Sequence, residues 1–476
     1  MEGADLFELP VWTKTLLNPL ILDNIFSHLD FTTLKNSVRP VCTVWADLSA
    51  SHLGRLGRLR LSHIPKRMNS FHPKLANCIS LRCFEGPCCS KPGNYACTLD
   101  NDPVTVNPEI SKFLTKLVIK IEEIVLPKLG EGWNTFKFRN RLGILVEKWG
   151  DDEAPQFRSY PNLKTLVCII RSPWRKGCHV GVGASTIVQG LLNSAPNLAE
   201  VKTRINFYPD FTLCKKLKIL KYEFDRMRIY PDPPAVSKML NTCSNSLVRL
   251  TLDGFQGADK TNKLAQISNY FAPNLTHLTI VYSEVNFLLS CLDVAHLPKL
   301  THFAIKGYNE NHIWEMFQNF NLRHTGVTCL TISIVCAYVD TRDVQAAAKI
   351  VHLYPSVTKF KMSVGHGARN FEHLKEMLNS FGEWNLSMGK IVMSSFMRAE
   401  HVAAVLEGMA GWRGLQNTTL HFRKGLVMFD RARNALLSCG SIRHIYVHGA
   451  KMVQEDREDL RELIAQRNLP ISLISR

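Results

Sequence analysis

Lysine, arginine and histidine alternate with apolar residues in a series of short segments along the chain. Lys202, Arg204, Lys221, Arg249, Lys306, Lys359, Lys361, Lys390 and Arg423 hold such positions, and His277, His302, His421, His444 and His448 join them in the same register. Acids in that register are Glu200, Glu223 and Asp253. Nine cations against three acids is a stronger skew than the 58 Lys and Arg against 41 Asp and Glu of the whole chain. Guanidinium and ammonium groups fixed at regular spacing suit carboxylate and phosphate oxygens. Arg249, His277, His302, Lys306, Lys359, Lys361, Lys390 and Arg423 are therefore the candidates for binding an acidic or phosphorylated protein segment. The plainer alternative is a solvated face with no single binding spot.

Other chemistry has weaker support. No Ser/His/Asp, Cys/His or paired-carboxylate set has a convincing context, so neither a catalytic site nor a cofactor is expected. Cys78, Cys83, Cys88, Cys89 and Cys97 cluster, but neither their spacing nor a paired histidine matches a usual zinc site. They read as a loop with buried or solvent-facing thiols. Gly181-Val182-Gly183-Ala184-Ser185 lacks the spacing and lysine of a phosphate loop and reads as a turn. Asn274, Asn385 and Asn417 open glycosylation-like triplets, but these fall in or beside candidate strands.

The elements that would position the cations form a repeat. Leu56-x-x-Leu59-x-Leu61, Leu114-x-x-Leu117-x-Ile119, Leu163-x-x-Leu166-x-Cys168 and Leu198-x-x-Val201-x-Thr203 are its early copies. Copies then begin at Leu217, Leu247, Leu275, Leu300, Val327, Val357, Met388, Asn417 and Ile442, a spacing of 25 to 31 residues. The apolar alternation predicts a short strand with one face in a core. Helical patterns lie between, as in Ile187-x-x-x-Leu191-Leu192, Val344-x-x-Ala347-x-x-x-Val351 and Phe371-x-x-Leu374-x-x-Met377-Leu378. Strand, helix and return, repeated, stack into a parallel sheet lined by helices. The stretch from 120 to 162 holds an insertion or an unrecognised copy. Gln454 to Arg467 reads as a last helix and Leu469 to Ile474 as a closing strand.

The first sixty residues follow a different pattern. Ile21, Leu22, Ile25, Phe26 and Leu29 recur at helical spacing after Pro19, which suits a first turn. Asp30 to Thr33 offer capping side chains before Leu34, Val38, Val41, Cys42 and Trp45, with Pro40 breaking the chain between Val38 and Val41. Three short helices with a shared apolar surface are expected, either as a cap on the repeats or as a docking module.

The 476 residues are 45% hydrophobic and 21% charged, a globular balance. Net charge is 58 − 41 = +17, which favours acidic partners. The cations form no block, so a nucleic-acid arm is not expected. The acidic start and the shortness of the apolar runs predict no signal peptide and no membrane span, hence cytosol or nucleus with its 14 cysteines reduced.

Leu17 to Leu29, Leu34 and Val41-Cys42-Thr43-Val44-Trp45 resemble the F-box signature over about forty residues. Leu20 stands where that signature carries an acid, and Pro40 is unusual in its last helix. The repeats behind it resemble the longer, helix-bearing leucine-rich repeat. The two resemblances imply an α/β chain: an F-box module at 10–52, then at 53–476 a curved leucine-rich-repeat solenoid with its parallel sheet on the concave face and helices outside. They imply that Pro19, Ile21, Leu22, Ile25, Phe26, Leu34, Val41 and Trp45 pack on a Skp-type adaptor and through it reach a cullin. The chain would then be a non-catalytic substrate-recognition subunit of a ubiquitin ligase. Its rivals are a repeat scaffold uninvolved in ubiquitination, an α/β enzyme, and a nucleic-acid binder acting through the basic face.

Overall fold

The computed structural model describes residues 18–56, 80–82, 123–129, 146–148, 156–170, 182–224, 232–255, 270–281, 288, 290–306, 313–317, 320–334, 339–364, 370–393, 399–412, 417–422, 430–439, 445–448 and 454–469. The fold is α/β, and the chain divides into two compact units: Met1–Ile205 with Pro209–Leu217, and Asn206–Tyr208 with Lys218–Arg476. Among the described residues no helix is long and apolar enough to cross a membrane.

The first unit opens with helices. Asn18 caps α1 (Pro19–Ser27), its Oδ1 accepting from the Leu20 amide at 3.0 Å, and Pro19 occupies the first turn, where a missing N–H costs nothing. Asp30 starts the next turn, α2 (Phe31–Thr33). Its carboxylate accepts from the Thr33 amide and hydroxyl and the Thr32 amide, which hold its carboxyl below the usual range. A π-turn at Leu34–Val38 follows, then a turn holding Pro40, and α3 (Thr43–Leu56) begins beyond it. Leu22, Phe26, Leu34 and Val38 form the core of these helices, with Leu29, Trp45 and Leu48 packed against it. His52 on α3 joins Asp23 on α1, Nε2 to Oδ1, at 2.6 Å. In the same unit β1 (Ser80–Arg82), β2 (Glu123–Leu129), β5 (Thr165–Ile170) and β6 (Glu200–Ile205) pair in parallel in that order. Val146–Lys148 (β3) and Gln156–Phe157 (β4) pair antiparallel beside them in sequence, and α4 (Val182–Asn193) links β5 to β6.

The second unit is a nine-stranded, all-parallel sheet in sequence order: β7 (Ile219–Phe224), β8 (Arg249–Asp253), β9 (His277–Val281), β10 (His302–Lys306), β11 (Cys329–Ile334), β12 (Lys359–Val364), β13 (Met388–Met393), β14 (Asn417–Phe422) and β15 (Ile445–His448). Helices fall between strands: α5 (Pro233–Asn241), α6 (Ile313–Phe317), α7 (Thr341–Leu353), α8 (Phe371–Ser380), α9 (Ala399–Met409) and α10 (Asp430–Ser438), with α11 (Gln454–Gln466) last. Parallel neighbours need such crossovers, and a sheet with one covered face shows the alternation seen here. Leu250, Leu252, Leu278, Ile280, Phe303, Ile305, Leu330, Ile332, Phe360 and Met362 are buried, while their strand neighbours face out.

The register is fixed just before each strand. Val248 carbonyl accepts from the amides of Thr276 and His277 and, at 3.1 Å, from the Thr276 hydroxyl. The carbonyls of Thr276, Thr301, Thr328 and Thr358 repeat the arrangement with the next strand's entry, where Thr301, Thr328, Thr358 and Ser387 supply the hydroxyl.

Several expected copies move. Met388 pairs with Lys359 and is 48% exposed, whereas Leu386 is buried like Val357, so this copy starts at Leu386 and not at Met388. Asn417 pairs with Met388 and Leu420 with Ile391, so the next copy also starts two residues earlier than expected. In β13 the cause is Gly389, which takes an inner position without a side chain, and in β14 the polar Thr418 stands at the same register. The slip is two residues, so each side chain keeps its face. In the first unit β2 pairs Ile124 with Leu166, and the stretch from 120 to 162 holds both a strand and an inserted antiparallel pair. Leu56 ends α3; the rest of its expected copy, the Leu114 copy, the five clustered cysteines and the expected closing strand beyond Leu469 lie outside the described residues.

Aromatic rings gather where β13 has its glycine. Phe360 lies 4.6 Å from Phe381, 5.1 Å from Trp384 and 5.9 Å from Trp412, centroid to centroid. The indole N–H groups of Trp384 and Trp412 donate to the Tyr354 and Leu378 carbonyls, so burial leaves neither unpaired. Phe360→Ala should lower unfolding stability by about 3–5 kcal/mol, because three rigid rings cannot collapse into the space. Urea unfolding measures it, and a loss below about 1 kcal/mol would mean the site is loosely packed.

Candidate functional site

The face of the nine-stranded sheet opposite its buried residues carries side chains in rows. Register places Arg249, His277, His302, Cys329, Lys359 and Met388 side by side in the first row. The second row runs Thr251, Thr279, Ala304, Thr331, Lys361 and Lys390. Asp253, Val281, Lys306, Ser333, Ser363 and Val392 form the third. Seven of the expected binding residues thus share one surface of one unit. Arg423 lies outside the described residues. So does His444, and His421 and His448 pair across β14 and β15. Lys202 and Arg204 belong to the first unit, where Lys202 meets Glu200 at 2.7 Å. Lys221 and Glu223 stand on β7, with Glu223 in register with Asp253.

The seven residues act on one another electrostatically. Burial lowers the Lys361 ammonium pKa, and the nearby Lys390 and Lys306 charges lower it further. Burial also lowers both imidazoles, with His302 and Arg249 adding to the effect on His277, and Lys359 and Arg249 on His302. Cys329 sits between His302 and Lys359; burial raises its thiol while Lys359 opposes the shift. The surface is a cluster of cations pressing on each other, and an anion would relieve that pressure.

The two histidines are held by stacking and by hydrogen bonds. Equal register on neighbouring strands sets their rings face to face, 4.0 Å apart at 12°. Each Nδ1 meets the hydroxyl of the preceding threonine, Thr276 at 2.8 Å and Thr301 at 2.9 Å. Two charges about 4 Å apart would repel by about 4 kcal/mol at an effective dielectric of 20, and less with solvent on one side. The stack therefore favours at least one neutral ring. Sequence reasoning missed the two threonines and Cys329, although the tripeptide Leu-Thr-His at 275–277 and again at 300–302 signals them. No three His, Cys, Asp or Glu among the described residues are arranged to hold a metal ion.

The N-terminal helices offer a second surface. Of the expected docking residues, Leu22, Phe26 and Leu34 are buried in the helices' own core, so as folded they support a surface and do not form one. Trp45 is half-buried, edge-on to Phe26 at 5.6 Å. Pro19, Ile21, Ile25 and Val41 face solvent, with Leu20 at 82% exposure and Val44 beside them in the exposed set.

Mutual repulsion on the sheet face has a measurable cost. Lys361→Gln should raise the thermal midpoint by about 1–2 °C in low salt, and the gain should vanish in high salt as screening grows. A lower midpoint in low salt would contradict the electrostatic picture. No family model matches the chain, and no curated protein matches it.

Proposed function

We propose that the chain is a non-catalytic substrate receptor of a cullin-based ubiquitin ligase, with an F-box at its start and a leucine-rich-repeat solenoid behind it. The observation that carries this is the exposed apolar set on the N-terminal helices. A helical piece of about forty residues buries little surface alone. Leaving Leu20, Ile21, Ile25, Val41 and Val44 in water is unfavourable unless a partner covers them. Ile21 and Ile25 lie one turn apart on α1, the spacing with which a helix presents anchors to a groove. In this reading a Skp-type adaptor covers that set, and Leu22, Phe26 and Leu34 keep the helices rigid beneath it.

The sheet face then holds the target. Arg249, Lys306, Lys359, Lys361 and Lys390 suit an acidic or phosphorylated segment, and their spread over four strands between β8 and β13 matches an extended chain laid across the sheet. Transfer of ubiquitin would come from proximity supplied by partners.

One pair of variants tests both halves. With Ile21→Asp/Ile25→Asp, co-purification with a Skp-type adaptor should fall at least about tenfold, because charge is buried at the interface. With Lys359→Glu/Lys361→Glu, adaptor binding should persist while binding of fluorescein-labelled hexaglutamate is lost. Full adaptor binding by the first variant would overturn the receptor assignment.

A further inference from the structure

The geometry points to His277 and His302 as a proton-coupled anion subsite, one that takes up a proton as an acidic segment binds between Arg249 and Lys359. This rests on the sheet face being the target site and adds to it a ligand class and a dependence on pH.

The hydrogen bonds around the rings define where the proton goes. The Thr276 hydroxyl lies 3.1 Å from the Val248 carbonyl, and the Thr301 hydroxyl 3.3 Å from the Thr276 carbonyl. A hydroxyl has one proton. With each hydroxyl assigned as donor to the carbonyl, the threonine oxygen accepts from the histidine beside it, and that assignment puts a hydrogen on Nδ1 in both rings. The neutral form then leaves a lone pair on Nε2, on the ring edge far from Cβ. That lone pair repels an incoming carboxylate or phosphate oxygen. Protonation at Nε2 turns it into a donor and breaks none of the bonds that orient the ring.

The surroundings set the direction of the coupling. In the free protein the charges facing the stack are Arg249 on β8 and Lys359 on β12, with Lys306 on β10 and Lys361 on β12 further along the strands. Cys329 on β11 faces it as a neutral thiol, and Asp253 on β8 is the acid of the third row. Burial, with the cations on both flanks adding to it, lowers both imidazoles and so disfavours the charged form of the stack. An anion seated over the row reverses the local field and favours the imidazolium form. Binding therefore consumes protons, and affinity rises as pH falls towards the free imidazole range. A carboxylate ligand meeting a basic face would by itself release protons, so net uptake distinguishes the histidines.

The full chain is titrated with labelled hexaglutamate at constant ionic strength from pH 8 to pH 6. Affinity should rise by about tenfold over that range, and calorimetry at pH 6.5 in buffers of different ionisation enthalpy should show net proton uptake. His277→Gln/His302→Gln should bind at pH 6 no better than the unaltered protein does at pH 8, with uptake lost. Binding that is independent of pH, or accompanied by proton release, overturns the subsite while leaving the basic face in place. A pH response that survives in the double variant overturns it too. Absence of binding at every pH overturns the sheet face as the target site, and the subsite with it.

Discussion

Each strand from β9 to β13 begins where one carbonyl of the preceding copy accepts two consecutive amides and a hydroxyl. Three donors on one oxygen leave little freedom to slide. A one-residue shift would turn every buried side chain to solvent and every cation inward. At about 1 kcal/mol per hydroxyl bond the ladder is modest in energy, but its effect on register is large. It stacks Leu278 on Phe303, Leu330 and Phe360 on one side, and His277 on His302 on the other. The same threonines that grip the carbonyls also hold the imidazoles, so fold and candidate site share their hydrogen bonds.

That sharing has an energetic consequence. The buried side gains from apolar contact and from the rings around Phe360. The open side brings Lys306, Lys361 and Lys390 into one another's field, which depresses the Lys361 ammonium. A sheet selected only for stability would spread those charges or interleave acids. Like charges held together by a rigid scaffold are what a site for an anion needs, since the reorganisation is complete before the ligand arrives.

Much of this was legible in the sequence, for stated reasons. Copies from Leu217 to Val357 are found correctly because large apolar residues fill every inner position. The helices α7 and α8 and the later part of α4 follow from their periodicity, whereas Val182 to Ser185, expected as a turn, form the first turn of α4. Gly389 defeats the pattern, since an inner position without a side chain leaves no apolar mark, and the apparent frame slides by two residues. Lys390 keeps its outward place because that slip preserves the face. On α1, apolar residues cover more than one face, so spacing alone could not separate buried Leu22 and Phe26 from exposed Ile21 and Ile25. Burial made that division, and with it the distinction between supporting and exposed apolar residues. Thr276 and Thr301 escaped notice because small polar residues at strand entries look like filler until their partners are seen.

Two surfaces differ in chemistry, apolar on the N-terminal helices and cationic on the nine-stranded sheet, and the proposed receptor assigns each its own partner. Hydrogen exchange of the full chain, alone and with a purified Skp-type adaptor, tests that division most directly. Protection should appear in α1 and at the start of α3, around Ile21 to Ile25 and Val41 to Trp45, while β8 to β13 exchange as before. Protection confined to the sheet, or none at the helices, would contradict the assignment of these helices as the adaptor-binding module.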